Sequence, residues 1–347
     1  MNLRPFGLRT RLRKWMRARI SQKAIILLYH RIFEKERDPQ LLAVAPSNFR
    51  EQLDVIKRRY HPVSLQQLTR GIEEKKIPPY AVAVTFDDGY RDNLLYGKPV
   101  LEQYGIPATV FVTCGYVGKQ DALWWDELEE IFLGHRKLPP SLHLDLGAES
   151  LQWQLEDPAV SSETLRRSNG WNVLDPKDPT SRQKIYRYLV QALRRLPTEQ
   201  RNSMLSDLRF WAGSEPNASE KNRVLSPQEI VSLTNGGLLD VGSHTLTHPV
   251  LAVLSKESQQ REIRDSKVCL QEIVGRAIAS FAYPYGSKAD YTRETSAMVK
   301  ASGYQCACSN YRDIVWARSN PFQLPRVIVR NWNGEHFEKR MEEWFHG

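Results

Sequence analysis

Short apolar runs alternate along this chain with stretches whose apolar residues recur every three or four positions. The runs are at 24–29, 81–86, 108–113, 238–241, 278–283, 304–308 and 326–330. Their length and lack of polar alternation read as strands buried on both faces. Between them, Phe49, Leu53, Ile56 and Tyr60 recur at helical spacing, with Ser47 or Asn48 placed to cap. Ser64-Leu65-Gln66-Gln67 reads as a capping box opening a second helix. Pro99 and Gly105 mark the start and stop of a short third one. Ser226 and Pro227 open another. Seven strand candidates interleaved with helices predict a parallel sheet, open or closed into a barrel. In either case the site belongs at the C-terminal ends of the strands. The alternation lapses between residues 124 and 223, where helical stretches at 181–196 and 198–211 stand among Arg, Gln, Glu, Pro and Trp.

Composition changes this picture at one place. The chain has 347 residues and a formal charge of +9. Residues 1–33 hold nine Lys and Arg and no acid, so residues 34–347 are neutral overall. A basic binding face for nucleic acid is therefore not expected. Leu8, Leu12, Trp15, Met16 and Ile20 share one helical face of the arm. That pattern fits an anionic membrane surface through residues 1–20, or a helix docked on the body with a solvated cationic face. The longest apolar run, 24–29, is too short for a membrane span or a secretory leader. The expected location is cytoplasmic, at the inner face of the membrane if the arm engages it. Cys114, Cys269, Cys306 and Cys308 lack metal-type spacing and are expected to be buried, reduced thiols. Cys306 and Cys308 should face one side of the sheet.

Three motifs stand at strand ends. Thr85-Phe86-Asp87-Asp88-Gly89 pairs two carboxylates that need a cation or a shared proton. His244-Thr245-Leu246-Thr247-His248-Pro249 places two imidazoles four apart, and Pro249 disfavours a helix at His248. Phe281-Ala282-Tyr283-Pro284-Tyr285-Gly286 requires a tight backbone turn. Two imidazoles and one carboxylate with an open position make a hydrolytic metal site, leaving the other carboxylate as base. Singly, Asp-Asp-Gly is usually a turn and His-x3-His a surface coincidence. Together, each behind an apolar strand, they are not well explained that way.

With GYQCA at 303–307 and LPR at 324–326, these motifs make the chain resemble the polysaccharide deacetylases, the NodB-homology proteins of carbohydrate esterase family 4. The resemblance covers most of 24–332 outside 124–223. It implies an α/β fold, a distorted (β/α)7 barrel with a large, mainly helical insertion. The expected parts are an arm (1–23), a first barrel portion (24–123), an insertion near the site (124–223) and a second barrel portion (224–347). It also implies Asp87 as general base and Asp88, His244 and His248 as metal ligands. The backbone N–H of Tyr285 would hold the oxyanion. Zinc suits such ligands, and nickel, cobalt or iron would also be accepted.

Two departures from the family pattern matter. Many members carry the general acid in a Leu-x-His motif near the end of the domain, and residues 324–332 hold no His. His30, at the end of the first strand, is the proposed replacement; the alternative is a His that merely ends a strand. Many members also place an Arg in the third motif, absent here, and Arg326 is expected to supply that charge to Asp87. Trp124 and Trp125 open the insertion and serve either as core anchors or as sugar-stacking faces. The expected function is metal-dependent removal of an N-acetyl or N-formyl group from amino sugars of a bacterial polysaccharide or lipid-linked precursor. The alternatives are an O-acetyl esterase on the same scaffold and a non-catalytic glycan-binding or membrane assembly protein.

Overall fold

The computed structural model describes residues 22–346, apart from 120, 146–149, 157–160, 162–165, 167, 169 and 215–221. The amphipathic arm of residues 1–20 lies outside the described residues. The central strands are β1 (Lys23–Tyr29), β2 (Ala81–Phe86), β3 (Ala108–Val112), β4 (Leu239–Ser243), β5 (Ser280–Ala282), β6 (Cys306–Cys308) and β7 (Val327–Ile328). They pair in parallel in the order β6-β5-β4-β3-β2-β1-β7. A single bridge between Cys308 and Leu324 joins β6 to the approach to β7. The result is a distorted (β/α)7 barrel, closed at that seam by the one bridge.

Alternate residues of the strands enter two different cores, as a period of two dictates. Ile25, Leu27, Tyr29, Val82, Val84 and Phe86 pack outward against helices. Ala24, Ile26, Ala81 and Ala83 form a second cluster with Phe111, Cys306, Cys308 and Leu324. Both faces are apolar, which is why the runs show no alternation in sequence. Cys306 and Cys308 share that second cluster as free buried thiols, on one side of the sheet as expected.

The helices are α1 (Pro46–Arg59), α2 (Leu65–Glu73), α3 (Lys98–Tyr104), α4 (Trp124–Leu133), α5 (Ser181–Leu193), α6 (Thr198–Ala212), α7 (Pro227–Thr234), α8 (Lys256–Val274), α9 (Arg293–Ala301) and α10 (Gly334–His346). Capping boxes open α2 at Ser64 and α7 at Ser226, and left-handed Gly105 ends α3. At α1 neither Ser47 nor Asn48 caps: Ala45 takes the position without a side-chain bond, and Pro46 supplies the preset φ of the first turn. The stretch 124–223 holds α4, α5 and α6, and also an antiparallel hairpin of Ser141–Asp145 with Ser150–Gln154.

The cysteine expectation is corrected at two positions. Cys114, just after β3, is disulfide-bonded to Cys269 on α8 across 155 residues. The two thiols meet because α8 packs over the end of β3, a tertiary proximity that spacing does not show. No helix of the described residues is long and apolar enough to cross a membrane.

Candidate metal centre and active site

The register brings the motifs to one level at the barrel mouth. Asp87 N–H donates to Tyr29 O (2.9 Å) and His244 N–H to Val112 O (3.0 Å), extending the ladders one residue past β2 and β4. Beyond these residues the chain must turn sharply. Asp88, Thr245, His248 and Tyr285 all adopt positive φ (72°, 65°, 56° and 59°). For β-branched Thr245 that region is a genuine outlier, and such backbone persists only where surroundings enforce it. His248 therefore sits on a turn and not in a helix, as Pro249 predicts. At the third motif, a Cβ on Gly286 (φ +66°) would lie 2.6 Å from the Asn310 backbone nitrogen, so this turn requires glycine.

Asp88, His244 and His248 are buried and offer ligand atoms within 4.8 Å of one another. Asp88 Oδ1 lies 3.6 Å from His244 Nε2 and 3.5 Å from His248 Nε2. That oxygen has no hydrogen-bond partner. His244 Nδ1 is 2.8 Å from Ala282 O. A carbonyl only accepts, so Nδ1 carries the proton and Nε2 presents its lone pair to the cluster. Burial, with Asp87 opposing, holds His244 below the ordinary imidazole range. Burial and then His244 push His248 further down. Burial and the neighbouring Asp87 and Asp126 push the Asp88 carboxyl well up. An orphaned buried oxygen facing two neutral imidazoles is a donor set that fits a divalent cation.

Asp87 is 3.8 Å from His244 Nε2 and is held differently. Arg326 grips it in a fork: Nη1 to Oδ1 at 2.7 Å and Nη2 to Oδ2 at 2.6 Å. Arg326 is fully buried, with Nε donating to Ser309 O at 2.7 Å. Burial would raise the Asp87 carboxyl, but the guanidinium outweighs it and keeps the group below its ordinary value. The charge missing from the third motif thus arrives from just before β7, as proposed from the sequence.

A cavity of about 360 Å³ opens onto these groups. His30 lines it, as do Tyr285 and both insertion tryptophans. Burial, opposed by Asp87, drives the His30 imidazole down to about 3. Trp124 and Trp125 are core residues that also form cavity wall. The Trp125 ring stands 4.7 Å from that of His248. Trp125 Nε1 donates to Tyr90 Oη (2.8 Å), and the Tyr90 hydroxyl donates to Asp126 (2.6 Å). Val173, Val190 and Arg194 bring the insertion to the same cavity.

The turn bearing the two histidines is clamped from below. The Glu262 carboxylate on α8 accepts from Leu246 N (2.8 Å), Thr247 N (3.0 Å) and Thr247 Oγ1 (2.7 Å). Cys114 N and Gly115 N donate to Thr245 O and Leu246 O at 3.0 and 2.8 Å. Arg201 of α6 donates to Thr247 O at 2.8 Å. Sequence reasoning missed Glu262, Arg201, Tyr90, Asp126, Arg194, Asp290 and Arg330. Glu262 and Arg201 carry no signal distinct from any charged helix residue, whereas Asp126 directly follows the Trp124-Trp125 pair that opens the insertion.

A barrel that gathers an ionised aspartate and an Asp-His-His cluster at the C-terminal mouth has the parts of a hydrolytic metal enzyme. The model of the polysaccharide deacetylase family matches residues 74–135 and 208–307, which contain all three motifs. Over those two stretches, just under half of its length, the chain matches the polysaccharide deacetylase family. It is 29% identical over 123 residues to YxkH of Bacillus subtilis, covering 34% of this chain and 41% of that protein. It is 30% identical over 86 residues to the poly-β-1,6-N-acetyl-D-glucosamine N-deacetylase of Escherichia coli K12, covering 24% and 13%. The match thus spans less than half the length of these relatives. The Streptococcus pyogenes deacetylase PplD, solved with acetate, shares the fold with a TM-score of 0.56 at 20% identity, over 92% of this chain and 98% of that one.

Proposed function

We propose that the protein removes an N-acetyl or N-formyl group from amino sugars of a bacterial polysaccharide or its lipid-linked precursor, with a divalent metal as cofactor. The observation that carries this reading is the fork of Arg326 on Asp87 beside the Asp88, His244 and His248 cluster. Pure glycan binding has no use for a buried, ionised carboxylate next to such a donor set. The family's reaction, and the N-deacetylase activity named for the Escherichia coli relative, support it.

Asp88, His244 and His248 would hold the ion; one carboxylate and two imidazoles suit zinc, and nickel, cobalt or iron are also compatible. When bound, it supplies Lewis acidity toward the acyl oxygen and acidifies water, which matters because a carboxylate held as low as Asp87 is a weak base. Asp87 accepts the water proton, and Arg326 keeps it ionised and aimed. The Tyr285 N–H faces the developing oxyanion, a donation typically worth about 3 kcal/mol. His30 delivers a proton to the departing nitrogen. Its imidazole is neutral in the free cavity, so the proton it passes on is the one that Asp87 takes from the attacking water. The insertion, near the site as cavity wall, supplies part of the sugar-binding surface.

The test is acetate or formate release from N-acylated glucosamine oligomers and lipid-linked amino sugars. Release abolished by a chelator and by Asp87→Asn is expected; release indifferent to both refutes the mechanism. An O-acetyl sugar offered in parallel scores the esterase alternative.

A further inference from the structure

The charges lining the cavity form a ledger with one unmatched position. Asp87 is met by Arg326, and Asp88 faces two imidazoles. Arg194 donates to Asp290 at 2.7 Å while its guanidinium lies 4.3 Å over the Tyr285 ring. Arg330 lines the same cavity, two residues past β7. Among the described residues its guanidinium makes one hydrogen bond, from Nη1 to the Leu41 carbonyl. No carboxylate of the described residues forms a salt bridge with it. Asp38, the acid nearest in influence, spends both oxygens on the Leu42 and Ala43 amides at 3.0 and 2.8 Å.

A guanidinium has five donors in a rigid fork. One anchors Arg330 to Leu41, which fixes the group and leaves the remainder for a ligand or solvent. Burial disfavours the charge, and Asp38 offsets it only in part, without an ion-pair contact. Leu42 and Ile328 beside it are apolar, so a ligand entering there strips away water. A neutral hydroxyl would leave the charge unmet, whereas a carboxylate or phosphate accepts from the fork in two places.

We propose that Arg330 is an anion-recognition element of the substrate cavity, so that the preferred acylamino sugar carries an oxyanion, phosphate or carboxylate, close to the reacting amide. This rests on the deacylase reading and narrows its substrate class. Polymeric neutral N-acetylglucosamine would then be a poor substrate relative to a sugar phosphate or an aminouronic acid.

The experiment is calorimetric titration of the full, chelator-treated chain with N-acetylglucosamine, N-acetylglucosamine 1-phosphate and N-acetylglucosaminuronic acid. One charged sugar should bind the wild type at least about tenfold more tightly than the neutral one, and which of the two does so identifies the oxyanion. The ratio should fall to within about twofold in Arg330→Gln and recover in part in Arg330→Lys. Equal affinities in the wild type overturn the proposal and need no variant. So does a preference that survives Arg330→Gln. Acetate release by the zinc-loaded chain is scored separately. Release without anionic preference sinks the subsite alone. Anionic preference without release sinks the deacylase reading and leaves Arg330 as a sugar-anion site.

Discussion

Asp87 sits between two opposing influences, burial that would neutralise it and a guanidinium that forbids neutralisation. Removing Arg326 leaves the carboxylate buried and unpaired, a loss usually worth about 3–5 kcal/mol. Arg326→Met should therefore lower both Tm and kcat, while Arg326→Lys keeps a charge but not the fork and should fall between. The sign with pH follows from the lowered Asp87 value. The pair's stabilisation is complete above the ordinary carboxylate value of about 3.9 and is lost as pH falls through the lower folded value. The three site imidazoles act earlier. His30, His244 and His248 are all held below their ordinary value of about 6.5, so the unfolded state takes up protons that the folded state refuses. The chelated chain should lose stability as pH drops from about 6.5 toward the folded values, and a Tm that rises on that path would contradict these assignments. For His30 itself, substitution by Ala should cost kcat roughly 10²–10⁴-fold if it is the proton donor. Near-wild-type turnover would remove it from the chemistry.

At the scale of elements, the turn from His244 to His248 is the piece that must not move. Glu262 holds it through three bonds, yet on α8 it looks like any solvated glutamate. Glu262→Gln keeps the size but replaces one acceptor with a donor. It should weaken metal affinity by about 10–100-fold, the usual cost of losing support behind a ligand. Metal affinity unchanged by that substitution would show the turn to be held by other contacts. Gly115→Ala should do similar damage for a steric reason, since its Cβ would stand 2.4 Å from Leu246 O. This is also the scale at which the sequence is most and least informative. The seven strands and the meeting of Asp87, Asp88, His244 and His248 were legible because buried parallel strands are unbroken apolar runs and these residues stand at their ends. The fork from Arg326 was legible only as a missing charge in the third motif. The hairpin within the insertion was missed, although Ser141–Asp145 and Ser150–Gln154 both alternate polar and apolar residues, the mark of strands with one buried face. Arg330 was read as the last residue of a strand, because its lack of a partner is a property of the cavity and not of the local pattern.

For the whole molecule, the disulfide is the contact of longest consequence. It ties Cys114, two residues past β3, to the helix that carries Glu262, so the clamp on the histidine turn is covalently referenced to the barrel. Such cross-links typically contribute about 2–4 kcal/mol, chiefly by restricting the unfolded chain, and they persist in oxidising compartments. Unreduced, denatured protein should titrate as two free thiols, from Cys306 and Cys308, and four after reduction. Four without reduction would mean that Cys114 and Cys269 are apart in solution.

The guanidinium of Arg326 touches three strands beside the seam: Thr85 within β2 and Asp87 just beyond it, Ser309 beyond β6, and its own position before β7. It is thus the buckle of the barrel as well as a partner of the base. A circular permutant opened between residues 319 and 320 would keep the strand pairings, that of Val315–Trp316 with β1 included, yet would leave that buckle near a loose end. Its activity should fall much further than its helix and strand content, which makes the seam a place where turnover can be uncoupled from folding.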